Sequence, residues 1–355
     1  MRIVYVLTSL GMGGAERQVL ALAARMAERG HAVAIMVLRP QVSEEWPTAL
    51  DVIHLDMRRN PVSVIAGMMR GRRFMKGFRP ELIHSHSFHA NFVARLLGFS
   101  TQAMVISTVH NVYEGGWHRM FLYRLTDFLS VRTTAVSTAA AERFVRLKAV
   151  PKRKCVVITN GIDTAEFAPD TERRLHMRTA MSAGENFIWL TAGRIAPAKD
   201  IPNLLGAFAL VRAAHPTAKL WIAGEGEPIA AQENVIWVGL RRDLPALLEA
   251  ADGFVLASAW EGMPLVVGEA MAMEKPVVAT DVGGVRELTG DAATLVPAKD
   301  SHALAEAMIT SMQTPLADRQ NLGRAARSRI VTGFSIDARV DRWEQLYQSL
   351  LARDC

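Results

Sequence analysis

The chain predicts an α/β protein of two Rossmann-like lobes, each with a parallel sheet covered by helices. Three observations carry that expectation. Short, almost unbroken apolar runs alternate with amphipathic helical patterns, as in parallel strands buried on both faces. The alternation halts at a turn-rich joint, Asn160-Gly161-Ile162-Asp163 with Pro169, and then restarts. Finally, 355 residues, half of them apolar, suffice for two domains with separate cores. The lobes are expected over 1–165 and 166–335, with a terminal helix at about 336–355.

Arg2 to Leu7 opens the pattern. A basic residue before an apolar run also suggests an export signal, but Ile3 to Leu7 is short and meets a glycine turn, so it reads as a first strand. Further strands are expected at 32–38, 82–85, 103–108, 133–136 and 156–158, with helices at about 14–29, 62–77, 88–98, 118–129 and 138–147 between them. Beyond the joint, strands follow at 187–192, 219–223, 235–238, 253–256, 276–279 and 293–296. Val340, Trp343, Leu346, Tyr347 and Leu350 recur at helical spacing over 337–351 and mark a packing helix. No apolar run approaches the ~18 residues that cross a bilayer. With only Cys155 and Cys355, the chain has neither a disulfide framework nor metal-ligand spacing, and a cytoplasmic location is expected.

The formal charge of +6 is uneven: residues 1–170 carry 22 Lys and Arg against 13 Asp and Glu, whereas 171–355 carry 19 against 22. Arg58, Arg59, Arg70, Arg72, Arg73, Lys76 and Arg79 surround a Met- and Val-rich amphipathic stretch from Val62 to Phe78. That composition suits an anionic membrane surface and equally a solvated helix face. Nothing in it has a nucleic-acid-binding signature.

Ser258-Ala-Trp-Glu261-Gly262-Met263-Pro264-Leu265-Val266-Val-Gly-Glu269 is the most informative stretch. It places two carboxylates around a loop-to-helix junction. A buried strand ends at Leu256, Gly262 permits a sharp turn, and Pro264 suits a first helical position. The amides of Leu265 to Val267 would then face an anion, such as a ligand diphosphate. Each carboxylate has two acceptor oxygens and suits a vicinal diol, one on a ribose and one on a sugar. Two surface glutamates flanking a Pro-started helix would look the same in isolation.

Gly193-Arg194 ends the first strand of the second lobe, with Lys199 following, so that two cations stand where a leaving nucleoside diphosphate gains charge. Gly11-Met12-Gly13-Gly14-Ala15-Glu16 follows the first strand and opens the first helix. Its sixth position is Glu16, and no acidic residue ends the second strand, which argues against a dinucleotide site; a plain tight turn is the alternative. His84, His86 and His110 fall at strand ends, where open α/β sheets place ligands. His84 reads as a core histidine, while His110 and His86 suit a sugar hydroxyl or phosphate and an acceptor. No Asp-x-Asp pair is present for a bridging divalent ion, so no metal and no cofactor are expected.

Taken together these motifs resemble the retaining family 4 glycosyltransferases of the GT-B fold. The likeness runs through Gly-Met-Gly-Gly-Ala-Glu-Arg-Gln at 11–18, His-Ser-His at 84–86, Thr-Val-His at 108–110, Ala-Val-Ser at 135–137 and Asn-Gly-Ile-Asp at 160–163. It continues through Gly-Arg at 193–194 with Lys199, Gly-Glu-Gly at 224–226 and the Glu261 to Glu269 motif. The resemblance implies a cleft between the lobes and a terminal helix crossing back to the first. It implies Glu269 on a nucleotide ribose, Glu261 on donor-sugar hydroxyls, and Arg194 with Lys199 on the diphosphate. Gly193 and the 262–266 turn line that grip. His110 falls at the donor sugar, Gly13 and Gly14 near the phosphate, and Gly11 and His86 toward the acceptor. Leu240 would meet the base by its backbone, although the helix usual between Gly226 and Val235 is missing. The expected activity is metal-independent transfer of a hexose or N-acetylhexosamine from a UDP-sugar to a lipid-linked or oligosaccharide acceptor in bacterial surface-polysaccharide assembly. Peripheral attachment to an anionic membrane is a further expectation. A sugar-nucleotide 2-epimerase and a non-catalytic sugar-binding protein are the alternatives.

Overall fold

The computed structural model describes residues 1–11, 13–42, 48–229 and 231–352. Met12, quoted within the first glycine turn, lies outside the described residues. Two compact units result: Met1–Gly161 with Ile336–Cys355, and Ile162–Ser335.

The first unit runs β1 (Arg2–Leu7), α1 (Gly14–Glu28), β2 (Ala32–Val37), β3 (Asp51–His54), α2 (Pro61–Phe78), β4 (Leu82–His86), α3 (Phe88–Phe99), β5 (Met104–Val109), α4 (Trp117–Thr126), β6 (Arg132–Ala135), α5 (Thr138–Arg146) and β7 (Cys155–Val157). Its strands lie in the order β3-β2-β1-β4-β5-β6-β7, and each neighbouring pair is parallel. The second unit runs α6 (Thr171–Ala180), β8 (Ile188–Ala192), α7 (Ile201–Ala214), β9 (Lys219–Ala223), β10 (Val235–Gly239), α8 (Leu244–Ala250), β11 (Gly253–Leu256), α9 (Leu265–Ala272), β12 (Val277–Thr280), α10 (Val285–Thr289), β13 (Thr294–Val296), α11 (Ser301–Gln313) and α12 (Leu316–Gly333). Its order is β10-β9-β8-β11-β12-β13, again all parallel. In both sheets the order reverses beside the first strand of the unit, the point at which doubly wound sheets bind ligands.

Residue alternation sorts the core. Ile3, Tyr5 and Leu7 of β1 face one layer, packed with Val19, Leu22 and Met26 of α1. Val4 and Val6 face the opposite layer with Met75 of α2 and Ala90, Ala94 and Leu97 of α3. In the second unit, Leu204, Phe208 and Val211 of α7 and Leu304 and Met308 of α11 cover one face around the fully buried Trp189. No helix bridges β9 and β10 among the described residues. No helix of the described residues is long and apolar enough to cross a membrane.

The terminal helix, α13 (Ile336–Leu351), belongs to the first unit. Val340, Trp343, Tyr347 and Leu350 enter the α1 layer of the core. Outside that apolar seam, Arg29 reaches Asp341 and Glu344 at 2.6 Å each, and His31 meets Glu344 at 2.8 Å. The Tyr347 hydroxyl lies 2.6 Å from His84 Nδ1 and 3.4 Å from the Tyr5 hydroxyl, all three groups being buried. Tyr347→Phe strands those polar atoms without water. Chemical denaturation should therefore show a loss of about 1–3 kcal/mol, against little change for Tyr113→Phe at an exposed position.

Candidate active site

In the second unit, site residues gather at strand carboxyl ends. β8 closes on Ala192, and Gly193 turns out with φ +144°. The Lys199 side chain lies across Gly193, so any Cβ there would press on it. A Cβ on Gly224, at φ +151°, would strike the Gly193 carbonyl. From that turn Lys199 Nζ meets Glu261 Oε1 at 2.6 Å, and the Ser258 hydroxyl donates to the same oxygen at 2.7 Å. Ser258 is fixed in turn, its carbonyl accepting from Thr280 Oγ1 at 2.7 Å. The Gly284 N–H donates to the Gly262 carbonyl at 2.7 Å, and Gly283, at φ +56°, abuts the Glu261 carbonyl.

α9 starts at Leu265, with Pro264 as the extended residue before it (φ −75°, ψ 110°). Two details of the sequence reading change. Pro264 caps the helix rather than forming its first position, and the Val267 N–H already donates to the Pro264 carbonyl at 3.2 Å. The open amides of the first turn are thus those of Leu265 and Val266. Glu261, Gly262, Met263, Pro264 and Glu269 are buried, and Leu265 and Val266 half-buried. Arg194 and Leu240 are exposed, and among the described residues no hydrogen bond joins either to the Lys199–Glu261 cluster. Gly239, at φ +67°, accepts from the Gly224 N–H at 2.8 Å, and Arg241 pairs with Asp243, which fixes the loop carrying Leu240.

In the first unit, β4 and β5 end side by side, with His86 paired to Thr108 in register. His86 Nδ1 lies 2.9 Å from His110 Nε2. His84 is a core histidine, its ring nitrogens 2.6 Å from Tyr347 and 2.7 Å from Thr108. Burial pushes all three imidazoles toward the neutral form, His110 down to about 4. His86 Nε2 is buried without a hydrogen-bond partner among the described residues. It lines a small recess with Gln18, His110, Thr159, Asn160 and Trp343. An uncharged imidazole there can accept from or donate to a hydroxyl at neutral pH.

Gly11, Gly13 and Gly14 form the predicted turn, where Gly13 N–H donates to the Gly11 carbonyl at 2.7 Å. The Glu16 carboxylate folds back over Gly13 and lies 3.3 Å from the Ser9 hydroxyl. A phosphate at this helix start has to share it with a resident carboxylate.

Two groups escaped the sequence reading. Ser258 donates to Glu261 three residues on and is held by Thr280 from a distant strand end, and the Gly283-Gly284 turn meets Glu261 and Gly262 from a distant loop. Glu114 could have been found from its place four residues after His110, ahead of Gly115-Gly116. Its Oε1 accepts from the His110 backbone N–H at 2.9 Å, and its Oε2 from the Tyr123 hydroxyl at 2.7 Å. Asn91 Nδ2 donates to that hydroxyl at 2.9 Å. Burial outweighs these donated bonds and pushes the Glu114 carboxyl up to about 7.

Opposite pH dependences follow. The neutral buried histidines stabilise the fold increasingly as pH rises through the interval between their lowered values and 6.5. Glu114 binds its proton more tightly folded than unfolded, so its contribution falls between about 4.5 and about 7. Subtracting wild type from Glu114→Gln isolates the second effect: melting temperatures against pH should show the variant gaining relative stability as pH rises from 5 to 8. A flat difference would contradict the assignment. Gly283→Ala places a methyl against the Glu261 carbonyl in a strained backbone and should destabilise the fold by about 1–3 kcal/mol in the same assay.

Comparison with known proteins agrees with the two-lobe fold. Residues 12–166 match the family model described as Glycosyltransferase Family 4, and residues 186–314 match Glycosyl transferases group 1. The UDP-Gal:alpha-D-GlcNAc-diphosphoundecaprenol alpha-1,3-galactosyltransferase of Escherichia coli is 24% identical over 305 residues, covering 78% of this chain and 77% of that protein. A GDP-mannose-dependent alpha-mannosyltransferase of Mycolicibacterium smegmatis is 27% identical over 368 residues, covering 93% of each. Among solved structures, Anabaena HepE in complex with UDP and glucose superposes with a TM-score of 0.86 at 19% identity, covering 98% of this chain and 100% of that one. WaaG, a glycosyltransferase involved in lipopolysaccharide biosynthesis, gives 0.75 at 16% identity, covering 96% and 98%. Two Rossmann-like lobes, a family model on each and relatives along most of its length place the chain among the GT-B glycosyltransferases, whose halves are the Family 4 and group 1 domains.

Proposed function

We propose that this glycosyltransferase moves a hexose or N-acetylhexosamine from a UDP-sugar to a lipid-linked or growing oligosaccharide, with retention at the anomeric carbon and without a metal ion. Surface-polysaccharide assembly at the cytoplasmic face of the membrane is the proposed setting. The observation that carries the reading is the cluster of Lys199, Ser258 and Glu261 at the carboxyl ends of β8 and β11, beside the open first turn of α9.

In this scheme the bond between the anomeric carbon and the β-phosphate oxygen breaks, and the departing diphosphate gains negative charge. Lys199 has three N–H donors, of which one serves Glu261, leaving two for phosphate oxygens. Arg194 and the Leu265 and Val266 amides complete the neutralisation. Glu261 Oε2 takes neither of the bonds made by Lys199 and Ser258 and is the acceptor for a donor-sugar hydroxyl. Glu269 takes the ribose diol, and Leu240 offers backbone to the base. The acceptor oxygen attacks from the side the phosphate leaves, and its proton passes to the departing phosphate oxygen. His110, uncharged at neutral pH, binds a sugar hydroxyl, with His86 and the Gly11–Gly14 turn toward the acceptor and phosphate.

The Escherichia coli relative supports the lipid-linked acceptor, because its name pairs UDP-Gal with a diphosphoundecaprenol substrate. The mycobacterial relative is GDP-mannose-dependent, which makes GDP the competing nucleotide to test beside UDP. Thermal-shift screening should find UDP and one of its sugars stabilising the protein, by about 2.7 kcal/mol at a hundredfold excess over Kd. Lys199→Ala and Glu269→Ala should each lower kcat/KM by roughly 10²-fold or more, and EDTA should leave turnover intact. An inverted anomer, an epimer from UDP-GlcNAc alone, manganese-rescued loss after EDTA, or indifference to every nucleoside diphosphate would each defeat the scheme.

A further inference from the structure

The helices α2, α3 and α4 cover one face of the first unit's sheet, and large apolar side chains point away from that sheet on all three. α2 packs inward through Gly67, Gly71 and Met75. A Cβ on Gly67 would collide with Met57 and lie 2.9 Å from the Leu55 carbonyl, and one on Gly71 would lie 3.0 Å from Leu97. Its outer side then carries Val62 (77% exposed), Ile65 and Met69 (69%) along the first half, and Arg72, Arg73 and Lys76 along the second. On α3, Leu96 and Phe99 (78%) stand exposed. Trp117 (81%), Phe121 and Leu125 follow one stripe of α4, which Phe128 (74%) extends beyond the helix. Apolar patches of this extent mark an interaction surface.

The charge pattern selects the partner. None of the three helices contains an Asp or a Glu. Arg70 is engaged with Asp56 and the Leu55 carbonyl, and Arg119 with the Glu114 carbonyl. Arg72, Arg73 and Lys76 on α2 and Arg124 on α4 remain exposed, and among the described residues they have no carboxylate partner. A second copy would bring the same cations against these. An anionic bilayer offers acyl chains for the aromatic and aliphatic side chains and negative headgroups for the cations.

We infer that the outer face of α2, α3 and α4 is a membrane-binding surface, which inserts Trp117, Phe121, Leu125 and Phe128 at the acyl boundary while Arg72, Arg73 and Lys76 hold anionic lipid headgroups. This deepens the reading of a lipid-linked acceptor and rests on it only for its purpose, since vesicle binding needs neither donor nor acceptor.

Flotation of the full chain tests it, with vesicles of phosphatidylcholine alone or mixed with about one third phosphatidylglycerol, at 0.1 and 0.5 M salt. The protein should float with the mixed vesicles and at least tenfold less with neutral ones. High salt should weaken the binding without abolishing it, because the apolar insertion survives screening. Phe121→Ser with Phe128→Ser, and separately Arg72→Glu with Arg73→Glu, should each lower partitioning about tenfold or more. Both pairs should keep wild-type turnover of a water-soluble acceptor. Failure to float with either vesicle, unchanged flotation of both variants, or a concentration-dependent dimer that the Phe121 and Phe128 changes disrupt would overturn the inference. If flotation fails while donor turnover persists, the face alone is refuted; if flotation succeeds and no donor is used, the fault lies in the catalytic reading.

Discussion

One carboxylate oxygen, Oε1 of Glu261, ties the second lobe's site together. It receives Lys199 from the turn after β8 and Ser258 from the loop after β11, and Thr280 at the end of β12 holds the Ser258 carbonyl. Three strand ends are thereby fixed around a carboxylate that is nearly out of water. A buried Glu is tolerated only when paired, and removing one partner of such a pair costs about 3–5 kcal/mol. The same bonds that make the site possible therefore make its residues interdependent. Changes at Lys199 and Glu261 should not add, because either one alone strands the other. The glycines follow from this constraint: Gly193 and Gly283 lie where a larger side chain would push on the Lys199 side chain or the Glu261 backbone.

The first lobe solves the same problem differently. Where the second lobe pairs Lys199 with Glu261, the first buries titratable groups and so favours their uncharged forms. His84, His86 and His110 lose their protons to burial, and Glu114 is pushed toward keeping its own. The result is a chain of neutral donors and acceptors running from Tyr5 and Tyr347 through His84 to Thr108, with the linked His86 and His110 rings beside it. The buried part of that chain orders the core, and of its rings only His86 and His110 line the recess, where neutral rings offer directional bonds without a field that favours ions. Glu114 sets the His110 loop through a backbone bond, so it can influence the imidazole's position through the main chain.

Most strands were legible because continuous burial on both faces of a parallel sheet leaves an unmistakable apolar run. β3 was not: Asp51–His54 is an edge strand, none of its residues fully buried, and two of its four residues are polar. At the α9 junction the segment's position was readable, but not the role of Pro264, because Pro favours the first helical position and only its ψ of 110° in the fold sets it one residue earlier, as the cap. Gly193 was visible from its strand-end position, whereas Gly283 was not, since what constrains it is a carbonyl 22 residues away. Local pattern reports local geometry. Contacts between loops that meet only in the folded sheet leave no local trace, which is why the Gly283-Gly284 turn and the Thr280 bond to Ser258 emerged from the structure alone, whereas Glu114 and Ser258 stand within four residues of the groups they hold.

The excess positive charge of the first 170 residues also takes on meaning only when sorted by face. On the α1 side, Arg25 and Arg29 are answered by Asp337, Asp341 and Glu344 of α13, so their charge is spent inside the fold. On the opposite side no acidic residue stands on α2, α3 or α4, and among the described residues the exposed Arg72, Arg73, Lys76 and Arg124 have no carboxylate partner. The same asymmetry governs the apolar residues. α1 buries Val19, Leu22 and Met26, whereas α2 turns Gly67 and Gly71 inward and leaves Val62, Ile65 and Met69 in solvent. Stability of the isolated chain alone would favour the reverse arrangement, because each exposed aliphatic forgoes roughly 1.5–3 kcal/mol of burial. A helix that buries Gly67, Gly71 and Met75 while exposing Val62, Ile65 and Met69 fits the inferred contact with a bilayer, which is also where the proposed lipid-linked acceptor would be held.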